Sequence, residues 1–140
     1  MANLKTYIVE DSPVIRENLV ATLEELAPVE VVGTAEDEST AIGWLSSHPE
    51  HCDLVIIDLF LKSGSGMGVL ASAHLREANA KVVVLSNYAT EDMRKKCLEL
   101  GADRVFDKSN EIDLLVNYCV DHALDRDAGA SANAGPITNF

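Results

Sequence analysis

The sequence predicts an α/β fold, a doubly wound five-stranded parallel sheet with helices on both faces. Three observations carry that expectation. Apolar runs alternate with amphipathic segments five times along 140 residues. The runs are short, continuous and rich in Val and Ile, as strands buried on both faces are. Short alternating strand and helix units close into parallel sheets through right-handed crossovers.

Leu4–Val9 supplies the first strand. Ser12-Pro13 then gives a helix N-cap followed by proline at the first helical position. Ile15, Leu19, Leu23 and Leu26 recur at helical spacing behind it. Val29–Ala35 is the second strand, and Thr40–Ser47 the helix after it. Leu54–Ile57 is the third strand, followed by a helix over Met67–Glu77. Val82–Leu85 is the fourth. Its helix, Glu91–Leu100, has Thr90 as N-cap, Glu91 and Asp92 in its first turn, and Gly101 past its end. Arg104–Phe106 is the fifth strand. A last helix begins near Glu111, with Ile112, Leu115, Val116 and Cys119 on one face. Residues 1–126 are expected to form one domain, and residues 127–140, small and polar, a disordered tail.

Composition narrows the function. The formal net charge is −12, with 47% hydrophobic and 24% charged residues. Phosphate neutralisation needs clustered Lys and Arg, so direct nucleic-acid binding is not expected. The start of the chain shows no secretion signal and no apolar run reaches bilayer length, which points to a cytoplasmic protein without membrane attachment. Cys52, Cys97 and Cys119 form no close pair and are expected to be reduced.

In an open parallel sheet, ligands gather beyond the carboxyl ends of the strands. Those ends carry Glu10 and Asp11, then Asp58, Ser86, and Asp107 with Lys108. Three clustered carboxylates repel unless they share a cation. Hard oxygen ligands of this kind select Mg²⁺. Lys108 and the metal would keep Asp58 ionised, able to attack phosphorus and form an acyl phosphate. Ser86 could hydrogen-bond a phosphate oxygen and Lys108 pair with it. The glycines at 64, 66 and 68 match no phosphate-loop spacing and are expected to form a turn into the next helix. His48 to Cys52 carries metal-like residue types but has no second ligand cluster, and a solvated loop is expected.

Glu10-Asp11, Asp58 after LVII, Ser86 after VVVL, Phe106 and Lys108 resemble, in order and spacing, the receiver domain of two-component response regulators. The resemblance spans residues 4–125 and implies the flavodoxin-like (βα)₅ arrangement. It implies Asp58 as phosphoacceptor, with Asp11, Asp58 and the Phe60 backbone carbonyl as Mg²⁺ ligands and Glu10 acting through a metal-bound water. It implies Ser86 and Phe106 as a switch pair, the ring turning inward behind the hydroxyl. Phe60, Asn87 and Tyr88 flank the site, the two bulky aromatics being expected to shield the acyl phosphate from water. Arg94, Lys95 and Lys96 mark a possible partner face. Lys62 and Ser109 stand where the family often has proline; a cis peptide bond before a serine costs about 3 kcal/mol.

The implied function is that of a stand-alone, single-domain response regulator, not an enzyme beyond its own phosphorylation and dephosphorylation. It would take a phosphoryl group from a histidine kinase or histidine phosphotransfer protein, and signal to a downstream protein or pass the group along a phosphorelay. The alternatives are an aspartyl-phosphate phosphohydrolase and a receiver-like module that acts without phosphate. The first usually needs an aspartate two residues after the nucleophile, where this chain has Phe60.

Overall fold

The computed structural model describes residues 3–48, 52–72, 80–87 and 89–134. Among these, five strands, β1 (Leu4–Val9), β2 (Val29–Ala35), β3 (Leu54–Asp58), β4 (Lys81–Ser86) and β5 (Arg104–Asp107), pair in parallel in the order β2-β1-β3-β4-β5. Five helices accompany them: α1 (Pro13–Leu26), α2 (Glu38–Ser47), α3 (Gly66–Leu70), α4 (Glu91–Glu99) and α5 (Ile112–Ala134).

Alternation along the strands divides the core in two. Tyr7, Val9, Val55, Ile57, Val84 and Val105 pack with Ala41, Leu45, Val69 and Cys97 on the side of α2, α3 and α4. Ile8, Leu54, Ile56, Val83, Leu85 and Phe106 pack with Leu19, Leu23, Leu115 and Cys119 on the side of α1 and α5. Both faces of the sheet are therefore covered, which is why Leu54–Ile57 and Val82–Leu85 on the central strands are apolar without a break.

The helix starts follow capping chemistry. The Ser12 hydroxyl accepts from the Ile15 N–H at 3.4 Å, with Pro13 opening α1. The Thr90 hydroxyl accepts from the Met93 N–H at 3.2 Å, and α4 ends before Gly101, whose φ of +111° suits a residue without a Cβ. Helix α2 begins at Glu38, two residues ahead of the expected Thr40, because Asp37 is its cap: its carboxylate accepts from the Thr40 N–H at 2.8 Å. That bond holds the Asp37 carboxyl below the usual carboxylate range.

Helix α3 is capped by Ser65 and described through Leu70; residues 73–77 of the expected Met67–Glu77 helix lie outside the described residues. Helix α5 carries helical backbone past Arg126 as far as Ala134, over most of the stretch expected as a tail. No described helix is long and apolar enough to cross a membrane.

Register sets the rim. Val9 lies opposite Ile57, Asp58 opposite Leu85, and Ser86 opposite Asp107. The residues that follow these strand ends therefore meet at one edge of the sheet.

Candidate functional site

Glu10, Asp11, Asp58 and Lys108 come together at that edge. Carboxylate oxygens of Glu10, Asp11 and Asp58 lie within 4.8 Å of one another. Lys108 reaches in from the end of β5, its Nζ 2.5 Å from Glu10 Oε1 and 3.0 Å from Asp58 Oδ2. The side chains of Glu10, Asp58 and Lys108 are only 2%, 7% and 9% exposed. Burial alone would lower the Lys108 pKa, but its bonds to Glu10 and Asp58 outweigh this and hold it above the ordinary lysine value. The Lys108 N–H also donates to the Ser86 carbonyl at 3.1 Å, fixing the base of the side chain to β4.

Glu10 and Asp58 are each oriented by the loop that follows them. Glu10 Oε2 accepts from the Ser12 N–H at 3.1 Å, and its carbonyl accepts from Arg16 Nη1 at 2.9 Å. Arg16 Nη2 pairs with Glu36 at 3.1 Å, bracing that guanidinium between two loops. Asp58 Oδ1 accepts from the Phe60 N–H at 3.2 Å, so both Asp58 oxygens are engaged. The set consists of hard oxygen donors, close together, with more negative charge than one ammonium neutralises. It fits a small divalent cation that keeps part of its water shell.

The loop after Asp58 is held by contacts invisible in the sequence. Glu38, at the start of α2, accepts from the Ser65 N–H at 2.8 Å, and its own N–H donates to the Ser63 carbonyl at 3.2 Å. Gly64 turns the loop with φ +78°. A Cβ at Gly66 would strike the Asp58 carbonyl oxygen and Leu59 Cα, and its N–H donates to Leu59 O at 3.0 Å. Gly64 serves the expected turn, and Gly66 a close backbone approach that was not expected.

Phe60 stands 53% exposed beside Asp58, lining with Leu61, Met67 and Met93 a recess of about 210 Å³. Asn87 is exposed in the turn after β4, and Tyr88 lies outside the described residues. There is no cis peptide bond among the described residues. The Ser109 N–H donates to Asp107 Oδ1 at 2.7 Å, a bond that proline could not make.

One expected grouping is separated, and the members of a second differ in their contacts. Phe106 is 1% exposed, but its ring is on the far side of the sheet from Ser86. Leu85 and Phe106 are paired in register and both pack toward α1 and α5, whereas Val84 and Val105 are paired and pack toward α4. Side chains alternate, so Ser86 falls on the Val84 side, and its same-face neighbour on β5 is Val105. The Phe106 ring instead meets Tyr118 edge-on at 6.1 Å, with the Arg104 guanidinium 5.1 Å above it.

The second grouping is the basic cluster. Lys95 and Lys96 are exposed, while Arg94 is partly buried and bonded to its neighbours. Its Nε donates to Ala89 O at 3.0 Å, Nη1 to Val105 O at 2.8 Å, and Nη2 to Glu111 Oε1 at 2.9 Å. The guanidinium holds the Glu111 carboxyl below its usual range. Neither Glu38 nor Glu111 stood out in the sequence, each being one acid among many.

Comparison with known proteins agrees with this geometry. The family model of the response regulator receiver domain matches residues 6–119. The transcriptional regulatory protein MalR of Bacillus subtilis is 27% identical over 99 residues, 71% of this chain and 41% of MalR. The signal receiver domain of NarL from Mycobacterium tuberculosis superposes with a TM-score of 0.76 at 24% identity, covering 88% of this chain and 98% of that one. The complex of the CheA3 P1 domain with CheY6 from R. sphaeroides contains a chain matched at TM-score 0.63 and 28% identity, over 77% of this chain and 84% of that one. Of its first curated relatives this chain spans 41%, 55% and 61% of the length. With the sheet order, the rim of acids and the match over residues 6–119 in agreement, the chain belongs to the response regulator receiver domain family of two-component signalling.

Proposed function

We propose that this chain accepts a phosphoryl group on Asp58 from a histidine kinase or histidine phosphotransfer protein, in a Mg²⁺-dependent reaction. The observation that carries the reading is the Asp58 carboxylate at the end of β3, nearly buried, bound to Lys108 and crowded by Glu10 and Asp11. CheY6 forms a complex with a P1 domain of CheA3, which supports a phosphodonor of that kind here.

In the transfer, an Asp58 carboxylate oxygen attacks phosphorus and the phosphorus–nitrogen bond of the donor phosphohistidine breaks. The electron pair stays on the donor imidazole nitrogen, and an acyl phosphate forms. Asp11 and Asp58, with the Phe60 carbonyl, would hold Mg²⁺, and Glu10 would act through a metal-bound water; the metal supplies charge neutralisation at the transferred group. Lys108 is anchored to Ser86 O and already beside Asp58, so it can donate to a phosphoryl oxygen without a large search. The Ser86 hydroxyl, at the end of the adjacent strand, donates to another. These residues position and neutralise, which dominates phosphoryl transfer.

Signalling then runs through protein contacts or onward transfer of the phosphoryl group, as in a single-domain regulator. Exposed Leu98 and Leu114 flank a groove of about 270 Å³ between α4 and α5, a surface suited to a downstream protein, with Lys95 and Lys96 also exposed on α4. Beyond making and losing its own acyl phosphate, the chain has no catalytic role in this reading.

Intact-mass measurement after incubation with acetyl phosphate tests the proposal. The expected result is a single phosphoryl adduct on the wild type that requires Mg²⁺ and is missing from Asp58→Asn. An adduct of equal yield on Asp58→Asn, or none on the wild type with either acetyl phosphate or a phosphorylated donor domain, would overturn it.

A further inference from the structure

Arg94 joins three segments that carry different parts of the site. Its Nε holds the Ala89 carbonyl, in the loop that follows Ser86. Its Nη1 holds the Val105 carbonyl on β5. Its Nη2 holds Glu111 Oε1, and that same oxygen accepts from the Asp107 N–H at 2.8 Å. Asp107 is the register partner of Ser86, and the Glu111 N–H returns to Asp107 O at 2.9 Å. One planar fork therefore bridges the loop after β4, strand β5 and the turn into α5.

We infer that Arg94 is a positioning residue that couples the Ser86 end of β4 to the groove between α4 and α5. The inference rests on the proposed phosphorylation of Asp58 and assigns the part that transmits it. The Phe106 ring faces the wrong side of the sheet for this task. Val105, on the Ser86 side, is β-branched, buried and restricted at χ1, with little freedom to report a change. The polar fork is what remains. Ala89, one of the three anchors of the guanidinium, is only three residues from Ser86, so a shift of Ser86 toward a ligand on Asp58 is expected to reach the fork. Loss of one anchor leaves the other two to re-form around a displaced α4. Leu98 and Leu114 line the same groove as Arg94 and Glu111, so their separation follows the fork. Lysine cannot reproduce three donors in fixed directions, which makes Arg94→Lys an informative replacement at unchanged charge.

Amide hydrogen exchange with and without beryllofluoride and Mg²⁺ reads this coupling without any downstream partner. In the wild type, the probe is expected to slow exchange in the loop after Asp58, and also to change it at Asp107, Glu111 and the first turn of α4. Arg94→Lys should keep the first response and reduce the distant one several-fold. A merely structural role would shift exchange equally in both conditions and leave the probe-induced difference intact. If Arg94→Lys does not fold, Glu111→Gln carries the same expectation. A full distant response in the folded variant overturns the inference. A wild type that responds near Asp58 but not at Asp107 and Glu111 overturns it while leaving the phosphorylation reading standing. No response near Asp58 removes both.

Discussion

Lys108 Nζ lies 3.0 Å from Asp58 Oδ2, and the two side chains are 9% and 7% exposed. The same ammonium bonds Glu10 Oε1, so it pairs with two acids that are almost out of water. Removing one member of such a group leaves uncompensated buried charge. Lys108→Met is therefore expected to lower stability by about 3 kcal/mol in metal-free buffer, measured by urea unfolding. Since the Lys108 pKa is raised by folding, the stabilisation is complete below the ordinary lysine pKa of about 10.4 and fades as pH rises through the higher folded value. A variant as stable as the wild type at neutral pH would show that the ammonium contributes nothing net.

Three carboxylates against one ammonium leave two surplus negative charges at the rim. Mg²⁺ should stabilise the folded chain by about 2.7 kcal/mol at one hundred times its dissociation constant. Asp58→Asn relieves part of the repulsion while keeping an acceptor for Lys108. It should gain about 1 kcal/mol without metal and lose most of the response to Mg²⁺. Urea midpoints in EDTA and in Mg²⁺ give both quantities. Equal Mg²⁺ responses in the two proteins would remove Asp58 from the metal site.

The rim acids and lysine were legible in the sequence because each apolar run stops at a residue that cannot be buried without a partner. Glu10, Asp58 and Ser86 stand directly after such runs, and Lys108 one residue beyond Asp107. The face taken by Phe106 was not legible. It depends on the register between β4 and β5, and a slip of one residue moves every side chain to the other side of the sheet. Arg94 was equally opaque, since its three acceptors are two carbonyls and one acid scattered over residues 89–111. The Glu38–Ser65 bond spans 27 positions and joins one acid of an EDE run to a loop amide. At the other end, the alanines after Arg126 favour helix intrinsically, while the polar and small composition suggested a tail; helix α5 follows the alanines.

Gly66 allows the loop after Asp58 to lie against the backbone of Asp58 and Leu59. Backbone atoms cannot turn aside as a flexible side chain can, so Gly66→Ala must displace the loop. The expected cost is about 2 kcal/mol, within the range for overpacking. Because Asp58 moves with the loop, the rate of phosphorylation by acetyl phosphate should fall by more than the loss of folded protein explains. Denaturant unfolding and intact-mass time courses on the same preparation separate the two. A stable variant with normal kinetics would mean that the loop has room to shift without moving Asp58.

Phe106 should act as a core residue. It is enclosed with Leu85, Leu115 and Cys119, and braced by Tyr118 and Arg104. Phe106→Leu is expected to lose about 1 kcal/mol, as for other hydrophobic exchanges that lose some volume. It should leave the beryllofluoride-induced change in hydrogen exchange at Asp107 and Glu111 as in the wild type. A selective loss of that change, at little cost in stability, would return Phe106 to the role of a switch.

Phe60 combines two positions relative to Asp58. Its N–H donates to Asp58 Oδ1 at 3.2 Å, while the residue is 53% exposed. An aromatic side chain two residues after Asp58 is expected to hinder water that attacks an acyl phosphate there. Phe60→Asn keeps the backbone donor, shortens the side chain and adds a polar group able to orient water. The phosphorylated protein should then lose its phosphoryl group several-fold faster, with little change in stability because the residue is exposed. Following the decay of the adduct by intact mass, after removing the phosphodonor, gives the lifetime directly. A lifetime equal to that of the wild type would show that the ring does not guard the site.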